Sequence, residues 1–283
     1  MANTEKLTIG RYQIHRKLRR GAVSTLYLGT DPKVGRKVAI KALALSRDFE
    51  GQELEELQRR FFDEAEAIAR LTHPHVVEVF DSGEDGDLIY IVMGYMKGES
   101  LDSYTNSDYL LPIDEVLTIG GQLASALDYA HGRQVIHRDV KPSNVIYNRD
   151  KMLAKITDFG IARLTDKSRT GTGTVLGSPS YMSPEQVAGR KVDSRTDVYS
   201  LGVTLYQLLT GWLPFVSESI VEIMIQITKE EPRDIATLRS DLATDVCAVV
   251  HKALQKDPGE RFQSAAEMEE AMQSYRTASA RTI

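Results

Sequence analysis

The hydrophobic rhythm of the chain changes about a third of the way along. Before Met96, short runs such as "YQIHRKL", "TLYLGT" and "KVAIKAL" alternate or run apolar between turns, the pattern of a small antiparallel sheet. One helical stretch interrupts them, "ELEELQRRFFDEAEAIARL". There Leu54, Leu57, Phe61, Glu64, Ile68 and Leu71 recur at intervals of three and four along one face. Glu64 stands inside that apolar stripe, and burying a carboxylate uncompensated is costly, so it should meet a cation. "VVEVFDSG" and "DLIYIVMGYM" read as two further strands.

After Met96 helices dominate, with "KGESLDSY" as the connector. Asp114 is placed to cap a helix running to Gly132 with Leu117, Leu123, Leu127 and Ala130 inward. "DVYSLGVTLYQLLTG" is apolar nearly all round, the mark of a helix in the centre of a lobe. Ser264 and Glu267 form a capping-box pattern at the start of a last helix. No internal repeat is visible. The pattern predicts an α+β fold of two unequal lobes that meet near residues 94–98, where a ligand cleft is expected.

Composition narrows the class. With 42% hydrophobic and 27% charged residues, the 283-residue chain can bury a sizeable core. A net charge of −5 argues against a general nucleic-acid binder. The one cysteine, Cys247, excludes an internal disulfide and reads as a small buried side chain in a reducing compartment. "MANTEKLTIGRYQIHRK" lacks the apolar core of a secretory signal, and no stretch approaches 18 uncharged apolar residues, so no membrane span is expected. The polar end, "RTASARTI", reads as a frayed terminus or the start of a linker.

The chemistry concentrates in "VIHRDVKPSNVIYNRDKMLAKITDFG", residues 135–160. "VIY" and "AKIT" read as short strands around "NRDK", a hairpin that brings Asn144 and Asp158 side by side. An amide oxygen and a carboxylate are hard ligands suited to Mg²⁺ shared with phosphates. Asp139 and Lys141 lie just upstream. A carboxylate that orients a hydroxyl and an ammonium that neutralises charge are what phosphoryl transfer requires.

The chain resembles the protein kinases from about Tyr12 to Tyr275. "VAIK" (38–41), "HRDVKPSN" (137–144), "DFG" (158–160), "SPE" (183–185), "DVYSLG" (197–202) and "ERF" (260–262) occur in that family's order and spacing. The resemblance implies a single bilobal kinase domain over 1–283. It would have a small antiparallel sheet lobe with one helix (1–93), a hinge (94–98), a larger mainly helical lobe (99–276) and a polar tail (277–283). Lys41 would hold the α/β-phosphates and pair with Glu64, the cation that the helical stripe calls for. Asp139 would orient or deprotonate the substrate hydroxyl, Lys141 would neutralise the moving phosphoryl group, and Asn144 and Asp158 would bind Mg²⁺ or Mn²⁺.

ATP would lie against Leu18, Gly21, Leu26, Ala39, Met93, Tyr95, Met96 and Ile146. Ala39 shares the face of Lys41 by strand alternation and leaves room for adenine. Met93 matches the gatekeeper position, and Gly94 to Met96 match the hinge, with Gly94 where a Glu is common. Aligned to the glycine-rich loop, "LRRGAVSTLYLG" keeps Gly21 but has Arg19 and Ser24 for the outer glycines and Leu26 for Val. That departure opens a second reading, a pseudokinase that binds nucleotide as a scaffold.

Lys141 within "HRDVKPSN" points to Ser/Thr rather than tyrosine kinases, and Ser178 stands where such kinases usually carry Thr. The long segment from Asp158 to Glu185, ending "SPSYMSPE", resembles a platform for protein substrates and disfavours a small-molecule kinase. Within it Thr170, Thr172 and Thr174 alternate with glycine. Arg138 could dock a phosphothreonine beside Asp139, so autophosphorylation there is expected, with a phosphothreonine-reading domain as a plausible partner. Arg261 should pair with Glu185, and Asp197 should hold the backbone of the 137–139 turn. "DFGIAR", "SPEQVAG" and "RFQSAAEM" resemble the eukaryotic-like kinases of bacteria. This implies a cytoplasmic location, either free or as the cytoplasmic part of a membrane-anchored kinase. The resemblance also brings in a homodimer, on which the residues are silent.

Overall fold

A computed structural model describes residues 7–21, 24–44, 51–159 and 179–279. It separates into two units, the first built from the chain up to His73 with Val77–Lys97, the second from Pro74–Val76 with Gly98 onward.

In the first unit the alternating runs form β1 (Thr8–Ile9), β2 (Tyr12–Arg20), β3 (Ser24–Asp31), β4 (Arg36–Leu43), β5 (Val79–Asp85) and β6 (Leu88–Gly94). They make one antiparallel sheet in the order β1-β2-β3-β4-β6-β5. Tyr12, Val38, Ile40, Ala42, Tyr90 and Val92 form a core on one face. Tyr12 meets Tyr90 edge-on at 6.1 Å and donates its hydroxyl to Asp81 at 2.6 Å. Burial, then that carboxylate, push the Tyr12 hydroxyl pKa well above its ordinary value. The turn before Tyr12 needs Gly10: its φ is +53°, and a Cβ there would come within 2.3 Å of the Tyr90 oxygen.

The helical stretch becomes α1 (Gly51–Ala69), which buries Leu57, Phe61, Ala65 and Ile68 and packs along β5. Glu64 lies half-buried on the same face, as its position in the stripe predicts. The strand expected at "VVEVFDSG" is displaced: β5 begins only at Val79. Val76, which belongs with His75 to the second unit, instead bridges Ile156 of that same unit, whose backbone N–H donates to the carbonyl of His75 at 2.9 Å. The two valines read as strand are buried, but the first serves a tie to another sheet.

The second unit carries β7 (Glu99–Ser100), β8 (Val145–Asn148) and β9 (Leu153–Ile156) in a small antiparallel sheet. Its helices are α2 (Ile113–His131), α3 (Pro184–Val187), α4 (Arg195–Thr210), α5 (Ile220–Lys229), α6 (Ile235–Leu238), α7 (Thr244–Ala253) and α8 (Ala265–Ser279). As its all-round apolarity predicts, α4 is buried along nearly its full length and packs on α2, α7 and α8.

Two helix starts differ from expectation. The residue before α2 is Pro112, so Asp114 sits inside the first turn, where its charge favours the helix dipole rather than capping it. At α8 the Ser264 hydroxyl accepts from the Glu267 N–H at 3.1 Å, but the Glu267 carboxylate reaches back to Gln263 N–H at 2.8 Å, one residue earlier than a capping box requires. Cys247 is buried on α7, and burial raises its thiol pKa, in keeping with an inert role. No helix among the described residues is long and apolar enough to cross a membrane.

Candidate active site

The segment between α2 and β8 carries one short 3-10 turn, Pro142–Asn144, and upstream of it the shape depends on side chains. Asp197, fully buried on α4, supplies the main one: its carboxylate accepts from the backbone N–H of His137 at 2.8 Å and of Arg138 at 2.7 Å. His131 Nε2 lies 2.8 Å from the same carboxylate. The clamp holds Arg138 at φ +67°, a left-handed conformation that non-glycine residues rarely adopt. From α3, Gln186 Nε2 donates to the Arg138 carbonyl at 2.9 Å.

His137 is the pivot of the turn. Its Nδ1 accepts from Asp139 N–H at 3.2 Å, so the other ring nitrogen carries the proton and donates to the Thr157 carbonyl at 2.8 Å. The ring is buried against Phe159, centroids 4.5 Å apart. Sequence reasoning gave no role to His137, His131 or Gln186. The run "HRD" could have drawn notice to His137, but its two bonds are legible only in three dimensions.

With the backbone fixed, Asp139 presents a partly exposed carboxylate. Lys141 Nζ lies 2.8 Å from Oδ1 and 2.7 Å from Oδ2, and Asn144 Nδ2 donates to Oδ2 and to the Asp139 carbonyl, each at 2.8 Å. These bonds suit an ionised carboxylate that accepts from several donors. The Asn144 amide nitrogen is thus committed, and its carbonyl oxygen is the group of that side chain suited to a cation. In the β8–β9 hairpin Val145 pairs with Ile156, and Thr157 N–H donates to the backbone carbonyl of Asn144 at 2.9 Å, so Thr157 lies opposite Asn144 with Asp158 one residue further on. Asp158, the next residue, is held at φ +65°. One amide oxygen and one carboxylate form a hard-oxygen pair, which fits a small divalent cation shared with phosphates.

Two other pairings concern architecture. Arg261 makes a bidentate pair with Glu185, both bonds 2.8 Å, and Thr196 donates to the same carboxylate at 2.6 Å. Asp197 and Arg261 therefore do what their buried charges require.

In the first unit, β4 places the small, buried Ala39 and the half-buried Lys41 on one face. Register aligns Leu28, Ala39 and Met93 across three strands, and Leu26, Lys41 and Ile91 beside them. Leu26 and Met93 thus share a face with Ala39 and Lys41. Tyr95 and Met96 follow β6 outside the sheet, and Gly94 N–H is used by the Glu78 carbonyl at 2.9 Å. Leu18 is half-buried on β2, and Ile146 is half-buried on β8 in the second unit. The Gly21 N–H donates to the Ser24 carbonyl at 2.8 Å. Gly160, Thr170, Thr172, Thr174 and Ser178 lie outside the described residues.

This sheet-plus-helix unit and this clamped Asp-Lys-Asn turn define a protein kinase. The protein kinase domain model matches residues 12–275, and the chain belongs to that family. It is 39% identical over 261 residues to the serine/threonine-protein kinase PrkC of Bacillus subtilis, an alignment covering 92% of this chain and 40% of that protein. It is likewise 39% identical over 267 residues to the serine/threonine-protein kinase PknB of Mycolicibacterium smegmatis, covering 91% and 42%. Among solved structures, the Mycobacterium tuberculosis PknI kinase domain matches with a TM-score of 0.76 at 33% identity, covering 96% of this chain and 99% of that one. Rad53 1–466 in complex with AMP-PNP matches with a TM-score of 0.75 at 26% identity, covering 92% and 64%. The chain spans about two-fifths of the length of the curated relatives. The resemblance read from the motifs is thereby borne out, as are the α+β kinase fold and the Ser/Thr class of the relatives. The family implies ATP and a divalent cation in general terms, and the pseudokinase alternative gains no support from these relatives.

Proposed function

We propose that this domain is an active Ser/Thr protein kinase, transferring the γ-phosphoryl group of ATP, bound with Mg²⁺ or Mn²⁺, to hydroxyls of protein substrates. The observation that carries the reading is Asp139, held by Lys141 and Asn144 on a turn that Asp197 clamps. The substrate oxygen attacks the γ-phosphorus, the bond to the ADP leaving oxygen breaks, and the hydroxyl proton passes to Asp139. Lys141 moves from Asp139 toward the transferring group and offsets its charge. Lys41 contacts the α/β-phosphates with Glu64 as its counter-ion. Leu18, Gly21, Leu26, Ala39, Met93, Tyr95, Met96 and Ile146 receive the nucleotide. A cation held by Asn144 and Asp158 would supply charge neutralisation on the phosphates.

Activation by autophosphorylation at Thr170, Thr172 or Thr174 belongs to the same reading, with a cytoplasmic location. The test is incorporation of labelled phosphate from Mg·ATP into the protein and a generic protein substrate, beside Asp139→Asn. A fall of about 10²- to 10⁴-fold in the variant is expected. Equal incorporation in both proteins, or none in either, overturns the proposal. Site mapping that finds no phosphate on the three threonines in active protein removes the autophosphorylation part alone.

A further inference from the structure

Arg19 and Arg20 are neighbours with opposite fates. Across β2, β3 and β4 the register aligns Arg20 with Thr25 and Ala42, and Arg19 with Leu26 and Lys41. Directly opposed residues share a face of a sheet. Ala42 belongs to the core on the face of Val38 and Ile40, so Arg20 lies on that side. Arg19 lies on the side of Lys41, Ala39 and Met93.

This placement is imposed by an irregularity. Lys17 pairs with Tyr27, which packs on the opposite core, and the register then shifts so that Arg19, not Leu18, pairs with Leu26. In an unbroken ladder Leu18 would face Leu26, and Arg19 would fall on the other face. A bulge that re-aims one side chain beside a site is a recurrent device. It sets the exposed Arg19 two strand spacings from Lys41, about 10 Å between backbones, close enough for two long cationic side chains to serve one polyanion.

The loop itself supplies a motive. Of the three positions where a phosphate-gripping loop carries glycine, only Gly21 does, and its N–H is already used by the Ser24 carbonyl. Side chains at positions 19 and 24 keep the backbone from approaching a phosphate as closely as glycine allows, and a guanidinium can compensate with charge-assisted bonds to phosphate oxygens. We propose that Arg19 is a second cation for the triphosphate of the bound nucleotide, a positioning residue that moves part of the phosphate grip from backbone to side chain. The inference rests on the nucleotide-binding reading above.

The experiment is equilibrium binding of ATP, AMP and adenosine to the whole chain by calorimetry, in the wild type and in Arg19→Ala, Arg19→Lys and Arg20→Ala, with thermal melts to confirm folding. Arg19→Ala should weaken ATP binding about tenfold and leave adenosine within twofold. Arg19→Lys should recover part of the loss, added salt should shrink the difference, and Arg20→Ala should match the wild type. Unchanged ATP affinity in Arg19→Ala overturns the inference. So does an equal loss for adenosine, or an equal effect of Arg20→Ala, which would mean general charge rather than a contact. A wild type that binds none of the three ligands overturns the nucleotide reading itself, a result distinct from the others.

Discussion

Two carboxylate–cation pairs in the second unit have almost the same length and different surroundings. Lys141 approaches Asp139 to 2.7 Å with 22% and 25% of the side chains exposed, whereas Arg261 approaches Glu185 to 2.8 Å with 0% and 8% exposed. Arg261 also donates to the carbonyls of Gln255, Lys256 and Arg195, so its guanidinium is saturated. Burial alone would raise the Glu185 pKa, but the bonds from Arg261 and Thr196 hold it below the ordinary carboxylate value. The Asp139 pair is reachable from solvent, and its partner Lys141 is a flexible ammonium that can exchange partners. Distance therefore does not separate the two pairs; access and saturation do.

The sharpest way to break this comparison is to delete each cation. Arg261→Met strands Glu185 inside the unit and should cost about 3–5 kcal/mol. The double variant with Glu185→Leu should recover much of that loss, because no buried charge is left. Lys141→Met should cost less than about 1 kcal/mol while impairing transfer. Denaturant titration of the three proteins checks this, and equal losses in the two single variants would erase the distinction.

Legibility from sequence follows the same division. Groups whose partners are set by local spacing are readable: the β8–β9 hairpin, the stripe of α1, the face shared by Ala39 and Lys41. Charges too costly to leave alone, Asp197 and Arg261, could be assigned partners once the motifs supplied the frame. What escaped depends on atoms that residue types do not encode. The donor and acceptor nitrogens of His137, the reach of Gln186 to Arg138 and the register shift that puts Arg19 on the face of Lys41 are examples. Val76 escaped for another reason, since an apolar pair looks the same whether it extends a strand or ties two segments together.

Asp197 offers a subtler test, because it holds the Asp139 turn through backbone alone. Asp197→Ala would leave the N–H groups of His137 and Arg138 without their acceptor and release the strained φ of Arg138. A loss of about 1–3 kcal/mol in stability is expected. Asp139 would then be mispositioned, so turnover should fall while ATP affinity holds. Equal ATP affinity with reduced kcat supports this positioning role, and a variant that merely loses stability, with kcat intact, refutes it.

The smallest effect concerns Lys256, which extends the comparison to a cation with no carboxylate bonded to it. Its ammonium donates to the Ile227 carbonyl at 2.9 Å, at the end of α5, and lies 4.1 Å above the Phe215 ring. Burial brings its pKa from 10.5 down to about 8, with Glu231 and Glu230 opposing the shift and Arg261 adding to it. Between about pH 8 and 10.5 the unfolded chain therefore holds a proton that the folded chain has released. Stability should rise with pH across that window through this group, and below it the penalty for burying the charge is present in full. Lys256→Met removes the titration, so the stability difference between wild type and variant should shift in favour of the wild type from pH 8 to 10. Denaturant midpoints measured side by side decide it: parallel profiles would mean that the ammonium is solvated well enough to behave like an exposed lysine.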